Sequence, residues 1–227
     1  MISIVICFYD NDVDCIPHML EQLAKLTFDK EVIFVDDRKI KSKHLEFGSY
    51  KHISHKGNIG VFESRRQGAK ASTGDYIWFV DIDDNLFDYK PIEDGSDVIC
   101  YNFRYNNNDN LRFKENRYFT FNSFKNRKYA YIYLLYGSLW RNNYKRDFLL
   151  QIYDEIPEYK NLFFYEDMFL NGFVLNKMNR ITCNTQIIYD YQYTYNYAFT
   201  DNPDKVKFMI DHSVGDAQKI LHIVTKM

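Results

Sequence analysis

The feature that most constrains the fold is an apolar run that ends abruptly on acidic residues. Residues 76–80 (Tyr-Ile-Trp-Phe-Val) are uniformly apolar, and Asp81, Asp83 and Asp84 follow them within four positions. A short run of this composition predicts a buried strand. Because alternate side chains of an extended chain share a face, Asp81 and Asp83 are expected to point the same way. Two such carboxylates repel each other unless a cation or hydrogen-bond donors lie between them, so the pattern favours a hard divalent cation at the carboxyl edge of a sheet.

The N-terminal half alternates segments with strand periodicity and segments with helical periodicity. Apolar, β-branched stretches predict strands over 2–8, 31–35, 50–54, 76–80 and 97–103. Helical spacing of apolar residues predicts helices over 17–26 and 60–72. This alternation is typical of an α/β fold with a mainly parallel sheet.

The pattern changes after the polar segment 106–110, which predicts a turn or loop. Helices are expected over 128–136 and 163–176, and β-prone residues return over 181–195. Residues 205–227 predict an amphipathic helix, which either packs on the domain or mediates self-association or membrane contact.

The composition limits which partners and which cellular compartment are expected for this chain. The chain of 227 residues carries 29 Lys and Arg against 31 Asp and Glu, which gives no bulk electrostatic case for binding nucleic acid. Its four cysteines are scattered without a CxxC spacing, so neither a zinc site nor a disulfide framework is indicated. With no charged leader region and no apolar stretch long enough to cross a bilayer, we expect a cytoplasmic protein, with peripheral contact at the inner face of the membrane left open.

Aromatic residues are unusually frequent, with 20 Tyr and 19 Phe, mostly after residue 100. Two interpretations stay open. The rings pack in the core, or some of them line a groove for carbohydrate, because tyrosine combines a flat apolar face with a polar tip.

Three predicted strands end on chemically distinctive residues. The first strand leads to Tyr9, the second to Asp36 and Asp37, and the later strand to the acids at 81–84. In a parallel sheet these ends lie side by side. Together with Arg65 from the following helix, they predict a crevice that suits a nucleoside diphosphate.

The ordered set of motifs resembles the inverting family 2 glycosyltransferases with the GT-A fold. The segments that carry the resemblance are 2–10, 31–37, 58–74, 76–84, 139–149 and 164–167. The resemblance covers about residues 2–200. It departs from the family pattern at Cys7, where a proline is usual, at Arg38, where a small residue is usual, and around Gln192, where the family often carries an arginine.

The resemblance implies a GT-A fold: a mainly parallel central sheet flanked by helices, in a single domain over residues 1–200. Residues 1–104 would bind the nucleotide sugar and residues 105–200 the acceptor. The C-terminal amphipathic helix, 201–227, would be an extension of this domain.

The resemblance also implies transfer of a sugar from a UDP- or GDP-sugar to an acceptor hydroxyl with inversion. The acceptor would be a glycan, a lipid-linked molecule or a glycoprotein, in surface polysaccharide or glycoconjugate synthesis. On the donor side, Tyr9 would stack on the base, and Asp36 or Asp37 would accept hydrogen bonds from base or ribose. Arg65 would either neutralise the diphosphate or hold the acidic cluster.

The same resemblance implies which residues would bind the metal and which would act as the catalytic base. Asp83 would be the main ligand of Mn²⁺ or Mg²⁺, Asp81 would bind the ribose or the metal, and Asp84 would join them or hold the loop. Asp167 is the candidate catalytic base, because its apolar neighbours would raise its pKa. Glu166 would orient Asp167 or touch the acceptor.

Some alternatives remain open from the sequence. Trp140 could form an acceptor platform or could be a buried core residue. A phosphatase of the haloacid dehalogenase type also has an apolar strand that ends in Asp-x-Asp. A non-catalytic module that binds a sugar nucleotide or a glycan is the third interpretation.

Overall fold

A ten-stranded sheet is the centre of the computed structural model, which describes residues 1–39, 44–111, 113–120, 138–158 and 165–192. Its strands are β1 (Ile2–Phe8), β2 (Lys30–Asp36), β3 (Lys51–Ser54), β4 (Tyr76–Asp81), β5 (Asn85–Leu86), β6 (Val98–Tyr105), β7 (Asn108–Asn110), β8 (Arg117–Thr120), β9 (Asn142–Lys145) and β10 (Arg180–Tyr191). The helices of these segments are α1 (Ile16–Lys25), α2 (Val61–Ala71), α3 (Arg146–Glu155) and α4 (Glu166–Lys177), with a 3₁₀ helix at Asp10–Cys15.

The strand order is β3-β2-β1-β4-β9-β6-β10-β5, with β7 beside β6 and β8 beside β10. The first four strands of this order are parallel, as predicted. Beyond them the sheet is mixed, because β9 runs antiparallel to both β4 and β6. Two reversals restore the direction, so β6 and its parallel neighbour β10 run the same way as β4. The carboxyl ends of β1, β2, β4, β6 and β10 therefore meet at one edge of the sheet.

Helices cover both faces of the sheet, and the side chains of β1 show the division. Val5 packs into the hydrophobic cluster that contains residues of α2, α3 and α4. Its neighbours Ile4 and Ile6 pack on the other face with residues of α1. Since both faces are buried, the central strands are almost uniformly apolar, which is why they were recognisable in the sequence.

Most predicted elements occur within a few residues of their expected bounds. The segment predicted as a polar turn contains one, with positive φ at Asn106 (47°) and Asn107 (65°), and β7 follows it. The helix predicted over 128–136 and the C-terminal segment 201–227 lie outside the described residues. None of the helices in the described segments is long and apolar enough to cross a membrane.

Candidate functional site

The acidic turn after β4 is held by a tyrosine of β10. Asp84 is buried, and its carboxylate accepts hydrogen bonds from the Tyr189 hydroxyl (2.7 Å) and the Gln192 backbone N–H (2.6 Å). The Tyr189 oxygen in turn accepts a hydrogen bond from the backbone N–H of Asp81 at 3.0 Å. Burial and the charge of Asp81 raise the pKa of Asp84 to about 8. Asp84 therefore holds the loop, whereas Asp83 is only partly buried and remains accessible to solvent.

The same turn is held from the other side by α1. The buried side chain of Gln22 donates to the Asp84 carbonyl at 3.3 Å and accepts from the Leu86 backbone N–H at 3.1 Å. It also donates to the Asn85 side chain at 2.6 Å. Contacts from two elements therefore fix the backbone of the turn that carries Asp81 and Asp83.

Arg65 of α2 connects the acidic turn to helix α4. Its Nη2 lies 2.7 Å from Asp81 Oδ1, and its Nη1 lies 2.7 Å from Glu166 Oε1. Burial alone would lower the pKa of Arg65, but the charges of Asp81 and Glu166 raise it, so the guanidinium stays protonated. Charge-assisted bonds of this kind hold the two carboxylates at a set separation.

The first turn of α4 presents Glu166 and Asp167. The residue before them, Tyr165, has left-handed backbone angles (φ 60°, ψ 20°), which set the direction in which the helix begins. Asp167 is half-buried and accepts a hydrogen bond from the Met168 backbone N–H at 2.7 Å. Burial and the charge of Glu166 raise the pKa of Asp167 to about 7. A carboxylate with such a pKa can act as a general base near neutral pH.

These groups line a cavity of about 460 Å³. Its charged lining consists of Arg65, Asp81, Glu166 and Asp167, and the rest is largely aromatic or apolar: Phe103, Tyr105, Asn110, Ser138, Leu139, Trp140 and Tyr191. The structure thus brings five predicted site residues together, namely Arg65, Asp81, Trp140, Glu166 and Asp167. The other four, Tyr9, Asp36, Asp37 and Asp83, are not among its lining residues.

Trp140 is a mostly buried residue whose ring packs against other aromatic rings. Only 8% of the residue is exposed, and its ring stacks on Tyr189 (centroids 4.6 Å apart) and on Tyr191 (5.4 Å). Phe103 adds an edge-to-face contact at 4.9 Å. These contacts support the interpretation of Trp140 as a core residue. Trp140 is also among the residues that line the cavity, and its role as an acceptor platform stays a prediction.

The predicted nucleotide-binding residues lie at the carboxyl ends of β1 and β2. Tyr9 is 37% exposed, so it is not a core residue. Asp36 is buried and accepts two hydrogen bonds from the Arg38 guanidinium, each of 2.9 Å. Asp37 accepts hydrogen bonds from the backbone N–H groups of residues 59–60. Both carboxylates therefore have partners within the chain, and their nucleotide contacts stay predictions.

The sheet register relates these acids to the cavity. Strand β1 pairs Phe8 with Asp36 on one side and Cys7 with Asp81 on the other. Asp36 and Asp81 are therefore about two strand spacings apart, roughly 10 Å, at the same edge. A ligand as long as a nucleotide sugar can reach from one to the other.

Sequence reasoning missed several residues of the site. Asp12, in the 3₁₀ helix, accepts the Tyr9 backbone N–H at 2.9 Å, and burial followed by the charges of Asp83 and Asp81 raises its pKa to about 7. The aromatic residues Phe103, Tyr105, Tyr189 and Tyr191 were also missed. In each strand the two aromatic residues are two positions apart: Phe103 and Tyr105 in β6, and Tyr189 and Tyr191 in β10. This spacing places both rings of a pair on one face of the strand, and it is visible in the sequence.

The acids at the end of β4 offer carboxylate oxygens to a divalent metal. In the described segments, no group of three or more His, Cys, Asp or Glu side chains is arranged to hold a metal ion. Asp81 and Asp83 are close enough that, besides partial burial, the charge of Asp81 raises the pKa of Asp83. Magnesium in nucleotide sites is often held by one or two carboxylates plus substrate phosphates. The pair fits a cation whose coordination the diphosphate would complete.

Comparison with known proteins identifies the class of the chain. The family model described as glycosyl transferase family 2 matches residues 3–151, which is more than half of the chain. The chain therefore belongs to glycosyltransferase family 2, and the predicted family is confirmed.

Two curated relatives match shorter parts of the chain. A cholesterol galactosyltransferase of Borreliella burgdorferi is 28% identical over 116 residues, covering 45% of this chain and 32% of that protein. An uncharacterized glycosyltransferase of Haemophilus influenzae is 37% identical over 89 residues, covering 37% of this chain and 30% of that protein. The aligned regions span about a third of the length of these relatives.

Solved structures share the fold. Residues 1–349 of S. aureus TarS match with a TM-score of 0.63 and 23% identity, covering 84% of this chain and 60% of that one. The complex of TarS 1–349 with UDP-GlcNAc matches with a TM-score of 0.66 and 22% identity, covering 94% and 65%. The predicted GT-A fold is confirmed by this likeness.

Proposed function

We propose that this chain is a glycosyltransferase that moves a sugar from a nucleoside diphosphate to an acceptor hydroxyl with inversion. The observation that carries the proposal is that Asp81, at the end of β4, and Asp167, at the start of α4, line the same cavity. Family membership supports the same class of reaction. The position of Asp81 suits the donor side, and the raised pKa of Asp167 suits a base for the acceptor.

The transfer is a single displacement at the anomeric carbon. The acceptor oxygen forms a bond to that carbon as the bond from the carbon to the diphosphate oxygen breaks. The electron pair of the broken bond leaves with the nucleoside diphosphate, and the acceptor proton passes to Asp167. Attack from the face opposite the leaving group inverts the configuration.

The residues around the acids have separate tasks in this scheme. Arg65 holds Asp81 and Glu166 at a fixed separation and keeps a positive charge near the leaving group. Glu166, fixed by Arg65, keeps negative charge beside Asp167 and so favours a proton on it. A Mn²⁺ or Mg²⁺ held by Asp83 and Asp81 would supply charge neutralisation on the diphosphate.

The donor and the setting follow by analogy with the relatives. TarS structures contain UDP and UDP-GlcNAc, so uridine nucleotides are the first donors to test, before GDP-sugars. We place the reaction in the synthesis of surface polysaccharide or glycoconjugate, on the cytoplasmic side. Tyr9, Asp36 and Asp37 are assigned to the nucleoside.

The decisive assay incubates the protein with UDP-glucose, UDP-galactose, UDP-GlcNAc and GDP-mannose, with Mn²⁺ or with EDTA. Release of a nucleoside diphosphate supports the transferase. Release of phosphate from p-nitrophenyl phosphate would support the haloacid dehalogenase-type phosphatase instead. Nucleotide binding without product release would support a non-catalytic module.

The base is tested by the substitution Asp167→Asn. We expect donor affinity to be kept and the transfer rate to fall by about 10²- to 10⁴-fold, since a positioned base is lost. The matched control is Asp154→Asn, a change at an exposed aspartate of α3. Full transfer activity in Asp167→Asn would remove this residue as the base.

A further inference from the structure

A column of aromatic rings lies at the carboxyl ends of β6 and β10. Tyr189 stacks on Trp140, Trp140 stacks on Tyr191 with an interplanar angle of 8°, and Tyr191 contacts Tyr105 with centroids 5.8 Å apart. Tyr189 is fully buried, whereas Tyr105 at the other end of the column is 42% exposed. The column is therefore anchored in the core and ends in an accessible ring.

The sheet order places this column away from the predicted nucleoside site. The predicted nucleoside residues lie at the ends of β1 and β2, whereas the tyrosines of the column belong to β6 and β10. Asp81 of β4 lies between the two groups in the strand order. A ligand bound on the aromatic side would therefore adjoin the sugar of the donor. Asp167 lines the same cavity, so a hydroxyl of that ligand would lie near the proposed base.

The cavity lining is chemically mixed. Besides the aromatic residues, the lining contains the polar residues Asn110 and Ser138 and two tyrosines, which carry hydroxyl groups. A pyranose ring suits such a lining, because its C–H face packs on an aromatic ring while its hydroxyls bond to polar groups at the edge. A sterol or an acyl chain would bury these polar groups and the carboxylates without replacing their hydrogen bonds, which is costly.

We propose that the acceptor is a saccharide and that Tyr105, supported by Tyr191 and Trp140, is the stacking platform for its ring. This inference rests on the proposed glycosyl transfer and names the acceptor class for the same cavity. Tyr105 is a binding residue in this scheme, since the proton goes to Asp167.

The test uses the donor that gives nucleotide release, with methyl glycosides of glucose, galactose, N-acetylglucosamine and mannose as acceptors and with cholesterol in detergent as the lipid alternative. Transfer to the acceptor and hydrolysis of the donor by water are measured in the same reaction. We expect Tyr105→Ala to lower the ratio of transfer to hydrolysis about five- to tenfold, mainly through acceptor KM, as the loss of one stacking contact implies. Tyr105→Phe keeps the ring and should retain most of the ratio.

The control is Tyr118→Ala, which removes an exposed tyrosine of β8 outside the cavity lining and should leave the ratio unchanged. An unchanged ratio in Tyr105→Ala would overturn the platform. Transfer to cholesterol, or to none of the glycosides, while the donor is still hydrolysed, would overturn the saccharide acceptor. If the wild-type protein neither hydrolyses nor transfers from any donor, the proposed function itself fails.

Discussion

Two adjacent acids on one helical turn have different electrostatic environments. Glu166 is paired with Arg65, whereas Asp167 is half-buried beside the charge of Glu166. The pKa of Asp167 is raised because burial and this neighbouring charge both disfavour its ionised form. Glu166 therefore has a structural role as the partner of Arg65, whereas the adjacent Asp167 is the candidate base.

The first prediction concerns pH. An aspartate ordinarily titrates near pH 4, but burial and the charge of Glu166 raise the pKa of Asp167 to about 7. Only the deprotonated carboxylate can accept the acceptor proton, so kcat/KM for transfer should rise with pH up to about 7 and then level off. The measurement is a rate profile from pH 5 to pH 9 at saturating Mn²⁺. A profile that is flat between pH 5.5 and pH 8 would contradict the assignment.

The second prediction concerns Tyr189, whose hydroxyl bonds to both Asp84 and the Asp81 backbone. Tyr189→Phe removes that hydroxyl and keeps the stacked ring. We expect the free energy of unfolding to fall by about 1–3 kcal/mol, because a buried acceptor and a donor lose their partner. We also expect a higher Mn²⁺ concentration for half-maximal activity, because the acidic turn is less well positioned.

Urea denaturation and a Mn²⁺ titration of activity would measure the two effects of Tyr189→Phe. The control is Tyr118→Phe, which makes the same change at an exposed ring. Loss of stability with an unaltered metal requirement would leave Tyr189 with a purely structural role.

At the scale of elements, helix α2 approaches the sheet closely where it carries a glycine. A Cβ atom placed on Gly68 would lie 2.3 Å from Val5 Cγ1 and 3.1 Å from Val35 Cγ2. Valine side chains are stiff at χ1 and cannot easily move aside. This close contact positions the helix that carries Arg65.

The third prediction compares two helical glycines. Gly68→Ala should lower the free energy of unfolding by about 1–3 kcal/mol through overpacking. Gly172→Ala in α4, where an added Cβ meets no atom within 4 Å, should raise it by about 0.5–1 kcal/mol through helix propensity. Urea denaturation of both variants tests the pair. Equal effects of the same sign would contradict the packing argument.

At the scale of the whole molecule, Arg65 joins parts of the chain that are 101 residues apart. It lies on α2 in the N-terminal half and bonds to Asp81 of the same half and to Glu166 of the C-terminal half. The cavity exists only where these halves meet, so donor binding and global stability are expected to be coupled.

The fourth prediction uses that coupling. UDP with Mn²⁺ should raise the melting temperature, since a ligand at about 100 times its Kd adds roughly 2.7 kcal/mol to stability. In Asp83→Ala the part of this shift that depends on Mn²⁺ should disappear, because a proposed ligand is lost. Differential scanning fluorimetry with and without EDTA measures it, with the exposed Asp147→Ala as control. A full Mn²⁺-dependent shift in Asp83→Ala would remove Asp83 as a metal ligand.

The sequence by itself determined the strands and helices of the N-terminal half, the family, and the acids at the strand ends. These follow from local information: a strand that is buried on both faces is uniformly apolar along its own length, and residues that follow it must lie at its carboxyl end. Asp81 and Asp167 could be chosen in this way because each directly adjoins an apolar segment.

Only the tertiary structure decided how distant segments meet. The antiparallel insertion of β9 between β4 and β6, the bridge from Arg65 to Glu166 and the clamp of Tyr189 on Asp84 all join residues that local periodicity treats as independent. Strand pairing across a long stretch of chain depends on the total burial and hydrogen bonding of the whole sheet, which no single segment records. The folded sheet therefore set the aromatic column beside the acids and built one cavity from both halves of the chain.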